Sequence, residues 1–334
     1  MSVTVDIHAH AVIPAAAALA GADPRAGAAR AAEAELVGPA STQASIAMIH
    51  KVGPLLVDLE RRLAAMDAAG IDVQLVSPSP SHYHDWAEPA LAAQLARATG
   101  EGIAELCATR PDRLSGLGLA PMQHPDIAEQ ALVEAVRELG LRGVEIPAAA
   151  PGRELGDEAY EPFWARAAEL GAIVFIHPWG CSLGERLDRH YLFNVVGNPT
   201  ETTVALSHII FSGLLDRHPG LRIIAAHGGG YLPFYPGRSD HAWEVRPEIT
   251  TPRERPSSYL RRLYYDTVVY DPDQLASLIA RVGADRVLLG SDFPFDMGTD
   301  DPLERVAALS ELSESDRAAI CGATAAALLG IERP

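Results

Sequence analysis

Short apolar runs of extended character recur along this chain, and helical periodicity fills most of the gaps between them. Strands are expected at 3–8, 73–77, 114–120, 143–147, 173–177, 222–227, 263–269 and 287–290, which makes eight. Amphipathic stretches at 126–139, 160–170, 201–216 and 273–282 carry apolar residues near helical spacing. Pro and Gly punctuate the joins, as in HPD at 124–126, HPG at 218–220 and DPD at 271–273. Parallel strands need a crossover, and a helix supplies it. Strand–helix alternation on this scale predicts the α/β class and a (β/α)8 TIM barrel.

At 334 residues the chain exceeds a minimal barrel, and one domain spanning 1–334 is expected. The surplus falls in two insertions. Residues 11–57 follow the first strand, with an Ala-rich opening that fits either a helix or a loosely ordered lid. Residues 178–200 follow the fifth strand and bring Trp179, Tyr191 and Phe193. Barrel active sites lie at the C-terminal ends of the strands, so both insertions are expected to cover the site. The tail 313–329 reads as one terminal helix, with Ser313 as its cap.

Composition narrows the partners. Hydrophobic residues make up 48% and charged residues 21%, enough apolar matter for a large core. A formal charge of −17 argues against nucleic acid and against an anionic membrane surface. An anionic substrate therefore needs local cations, and Lys51 is the only lysine. Cys107, Cys181 and Cys321 are widely spaced with no C-x-x-C, which suggests a reducing compartment. With no basic-then-apolar leader and no run of membrane-spanning length, the expected location is the cytoplasm.

Chemistry concentrates at the strand ends. His8 and His10 in VDIHAH are two residues apart, so an extended backbone points both to one face. His177 closes IVFIH, Asp292 follows VLLGS, and His227 closes LRIIAAH. Singly, each has a plain structural reading, such as a helix cap for Asp292 or a core imidazole for His177. Together, three imidazoles and one carboxylate on the rim of a barrel suit a metal ion, zinc best, with manganese, iron or cobalt also compatible. Such an ion activates water or polarises a carbonyl. His227 is the candidate acid/base, since imidazole titrates near neutrality. The fourth strand reads GVEIP, with no lysine to be carbamylated, so one metal is expected rather than two. SHYH at 81–84 offers a second histidine pair, for which a substrate-facing loop or plain surface is the preferred reading.

Five stretches, HPWG, GNPTETT, HPGLRIIAAHGGGYLPFYPGR, YYDTVVYDP and VLLGSDFPF, raise this to a family likeness. The chain resembles the amidohydrolase superfamily, in its decarboxylase branch, over nearly its whole length. The resemblance implies one zinc held by His8, His10, His177 and Asp292, with His227 and Asp292 managing protons. It implies loss of CO2 from a small unsaturated or aromatic carboxylic acid. It also implies a homodimer, with Arg238 reaching into the neighbouring site. Two positions depart from the pattern. Gly53 stands where a substrate-binding arginine is expected, leaving His50 and Lys51 nearby, and Asn194 stands where a pocket tryptophan is expected. Lys51, Trp179, Asn194 and Arg186, with Arg238, are therefore the candidate substrate contacts. A hydrolase of a lactone, amide or C–C bond, or a hydratase, would use the same metal ligands and is the alternative.

Overall fold

The computed structural model describes residues 3–331. Its barrel strands are β1 (Val5–Ala11), β2 (Val73–Pro78), β3 (Leu114–Gly116 and Gly118–Leu119, interrupted at Leu117), β4 (Gly143–Pro147), β5 (Ile173–His177), β6 (Arg222–Ala225), β7 (Tyr264–Asp266) and β8 (Val287–Leu288). Neighbouring strands pair in parallel in sequence order, in two arcs that break at Leu117. Leu117 N–H donates to the Val76 carbonyl at 2.9 Å and bridges the break. Ile7 N–H donates to the Leu289 carbonyl at 2.9 Å and closes β8 onto β1. The expected barrel is present; strands six to eight are shorter than expected because the chain turns early, beside the site.

Alternation along the strands builds two cores. Inside the barrel lie Val5, Ile7, Leu75, Ile173, Phe175 and Leu288. Outside, residues such as Val144, Ile146, Val174, Ile176 and Ile223 meet the helices. Those helices follow their apolar stripes. Pro125–Arg137 buries Ala128, Leu132 and Ala135, and Pro272–Val282 buries Leu275, Leu278 and Val282. The Asp271 carboxylate caps the latter, accepting from Asp273 N and Gln274 N.

The segment after β1 is helical: α1 (Pro14–Gly21), α2 (Arg25–Val37) and α3 (Pro39–Val57), leading into α4 (Leu59–Ala68). Gly38 joins α2 to α3 at φ +81°, and a Cβ there would lie 1.8 Å from the Asp188 carbonyl oxygen. The segments after β1 and β5 thus meet backbone to backbone, at a place only glycine fits. The tail departs from expectation. It is not one helix but Glu314–Ala318 and Thr324–Leu329 around a wide turn at Ala319–Ala323. Gly322 presses on the entry to β1, where a Cβ would sit 2.0 Å from the Val3 carbonyl oxygen. The expected cap is there, with Ser313 Oγ accepting from Asp316 N at 3.1 Å. No helix among the described residues is long and apolar enough to cross a membrane.

Candidate metal centre

One irregularity in β1 aims the first two ligands. The β1–β2 register shifts between Asp6 and Ala9, so the alternation slips by one residue. Val5 and Ile7 point into the inner core below the shift, and His8 and His10 point inward above it. On β5 no shift is needed: Ile173, Phe175 and His177 face the same way, and His177 tops the column. Asp292 and His227 are placed by strained backbone, at φ +59° and +54°, where non-glycine residues are rare.

His8, His10, His177 and Asp292 are all buried, and one ligand atom from each lies within 4.8 Å of the others. Hydrogen bonds decide which nitrogens face inward. The His8 Nδ1–H donates to Asp266 Oδ2 at 2.7 Å, and the His10 Nδ1–H to the Pro78 carbonyl at 3.1 Å. Each ring therefore presents an Nε2 lone pair, and the two Nε2 atoms are 3.1 Å apart. Two lone pairs facing at that distance repel unless a cation or a proton lies between them. Asp292 Oδ1 lies 3.3 Å from both. Among the described residues, neither ring nitrogen of buried His177 has a hydrogen-bond partner. A buried imidazole without a partner is costly. This donor set fits a divalent ion with nitrogen preference.

The electrostatics agree. Burial pulls His8 down, but Asp292 and Asp266 outweigh it and push its pKa up to about 10. Burial would raise Asp292, yet His8 and His10 hold it well below the usual carboxylate range. Burial, reinforced by His10 and His8, holds His177 far below an ordinary histidine.

A further shell was largely missed in the sequence. Asp266 ends β7, and its carboxylate accepts from four donors: His8 Nδ1 and His227 N at Oδ2, Gly228 N and Val268 N at Oδ1. It orients a ligand and the candidate acid/base at once. Its signal was available, a carboxylate closing an apolar run as Asp292 does. Asp6 accepts from His8 N, Ser291 N, Ser291 Oγ and Gln74 Nε2, tying β1 to β2 and to the turn before Asp292. Buried Arg62 donates to Gln74 and to the His10 carbonyl. Glu145 is fully buried; it accepts from the Tyr83 hydroxyl, and its Oε2 is 3.8 Å from His10 Nδ1.

His227 completes the cluster. Its Nε2 is 3.5 Å from Asp292 Oδ2, and its ring centre is 5.1 Å from that of His177. Trp179 is 41% exposed at the mouth, with its ring 5.9 Å from Phe193, and Asn194 is the next residue. Lys51, Arg186 and Arg238 are exposed; among the described residues none bonds to the cluster. His82 is not a surface residue: it is buried, and its Nε2 accepts from Ile13 N at 2.9 Å.

Comparison with known proteins places this geometry. The Amidohydrolase family model matches residues 5–331. The chain is 33% identical over 277 residues to 2-amino-3-carboxymuconate-6-semialdehyde decarboxylase of Dictyostelium discoideum, covering 82% of this chain and 77% of that one. It is 30% identical over 297 residues to gamma-resorcylate decarboxylase of Rhodococcus jostii, covering 83% and 89%. Among solved structures, dihydroxybenzoic acid decarboxylase of a Polaromonas species, with bound manganese and 2-nitroresorcinol, superposes with a TM-score of 0.81 at 26% identity, covering 100% of this chain and 98% of that one. With a match that runs from the first barrel strand to the end of the described chain, this protein belongs to the amidohydrolase family.

Proposed function

We propose that this protein is a metal-dependent, non-oxidative decarboxylase of a small aromatic or unsaturated carboxylic acid. The observation that carries the reading is the pairing of a four-donor cluster with His227, 3.5 Å from Asp292. His8, His10, His177 and Asp292 hold one ion. Zinc is the proposed ion on the strength of three imidazoles, although a relative carries manganese. The ion would polarise an oxygen beside the departing carboxylate and so accept electron density.

The chain's own groups do the rest. Loss of CO2 breaks a C–C bond and leaves the electron pair on carbon, which then takes a proton. His227 delivers that proton, and Asp292 Oδ2 beside it steadies the imidazole's charge. Asp266 holds the His227 backbone in place. Trp179 supplies a flat face for the ring, and Asn194 a hydrogen bond to a ring substituent. Lys51 and Arg186 are the cations within the chain that meet the carboxylate. Arg238 serves the neighbouring subunit of a homodimer: it is exposed on Gly237–Val245, a short way from exposed Tyr231 and Tyr235.

The test is CO2 detection over hydroxybenzoates and aminocarboxymuconates, with transition-metal analysis of the same preparation. The reading expects CO2 from at least one acid and about one metal per chain. Product formed without CO2 would move the assignment to hydrolysis or hydration.

A further inference from the structure

Beside the metal centre, over the ends of β2, β3 and β4, lies a cavity of about 600 Å³. A single benzene ring is held by a cavity of about 150 Å³, so this space is roughly four times what one ring needs. One wall is α1 and α2, which present Ala17, Ala20, Ala26, Ala29 and Ala32. Trp86, Trp179 and Phe193 add aromatic surface to the lining. The metal ligands do not line the chamber, but its lining adjoins them at three points. Tyr83 lines it and donates to Glu145, which sits against His10. Pro147 lines it and pairs in register with His177, and Trp179 follows His177 by two residues.

Its charge is specific. Glu33 and Asp85 are the acids of the lining, and its single arginine, Arg30, is exposed. Burial favours the neutral forms of His82 and His84, so neither supplies a cation. A second carboxylate would enter this chamber without a buried positive partner, at high cost. An uncharged apolar chain would cover the alanine wall and be favoured by its burial.

We infer that the alanine-walled chamber receives an uncharged apolar tail, so that the preferred substrate is a monocarboxylic acid whose ring carries an extended neutral substituent. This rests on the decarboxylase reading, and the experiment separates the two. Turnover of 2-hydroxy-6-pentylbenzoate and 2-hydroxy-6-methylbenzoate is compared in the metal-loaded wild type and in Ala29→Phe, which fills the chamber from α2. Binding of 3-pentylphenol, which has no carboxylate to lose, is followed by tryptophan fluorescence in both proteins. The inference expects the pentyl acid to exceed the methyl acid at least tenfold in kcat/KM, and Ala29→Phe to shrink that ratio at least fivefold while retaining its metal. A pentyl chain ending in a carboxylate should be at least tenfold worse than the plain pentyl chain. Equal kcat/KM for the two acids in the wild type, or an equal loss for both in the variant, overturns it. If neither these acids nor the hydroxybenzoates and aminocarboxymuconates of the wider panel release CO2, but Ala29→Phe weakens 3-pentylphenol binding at least fivefold, the chamber stands and the decarboxylase reading falls.

Discussion

Replacing Asp266 with Asn tests whether the metal centre depends on a residue that touches no ion. The substitution keeps shape and volume and changes only chemistry. Both carboxylate oxygens of Asp266 accept two N–H donors, His8 Nδ1 and His227 N on one side, Gly228 N and Val268 N on the other. An amide can satisfy one side only, because its NH2 end must face donors on the other. If the oxygen stays with Gly228 and Val268, His8 loses the acceptor that fixes its tautomer, and a proton is free to move to the Nε2 that faces the ion. If it turns to His8, two buried backbone amides lose their partner at about 1–3 kcal/mol each. Removing such an outer partner typically costs about 10–100-fold in metal affinity. We expect Asp266→Asn to bind zinc about 10–100-fold more weakly in competition with a fluorescent chelator, and to lose about 2–6 kcal/mol of metal-free stability in urea. Zinc affinity within about twofold of the wild type would refute the reasoning.

Other expectations follow from the same geometry. His177→Ala should lose metal, whereas His227→Asn should keep it and lose most turnover; a fully active His227→Asn protein would remove that residue's assigned role. His82 accepts from Ile13 N and is held neutral by burial, then by His84, its pKa pushed down to about 4 from 6.5. The folded protein thus binds fewer protons there than the unfolded chain. The associated stability is complete above about pH 6.5 and is lost as pH falls through about 4, worth about 3 kcal/mol. His82→Gln should flatten that part of the urea-stability profile. Gly38→Ala places a Cβ against the Asp188 carbonyl at a positive φ, and should loosen the junction of the segments that follow β1 and β5. Faster proteolysis within 25–57, with metal content unchanged, would report it.

Much of the barrel was legible because alternation of apolar strand and amphipathic helix is a local signal. Gly143–Pro147 and Ile173–His177 were read to the residue. The four ligands were legible for the same reason, since each closes an apolar run. What was hidden depends on register and on distance in the chain. The slip between Asp6 and Ala9, which sends His8 and His10 inward above Val5 and Ile7, leaves no mark in composition. Asp266 meets His8 across 258 positions, and Arg62 meets the His10 carbonyl from a helix whose polar pattern suggests solvent. The tail was misread because Gly322 resembles any glycine in a helical pattern until β1 is seen pressed against it.

The central claim is that the ion held by His8, His10, His177 and Asp292 makes CO2 loss possible. Chelator-stripped protein titrated with zinc or manganese, with CO2 release followed on an accepted acid, addresses it directly. The account predicts negligible release without metal and a linear rise that levels off at about one equivalent per chain. Full CO2 release from metal-free protein would contradict it.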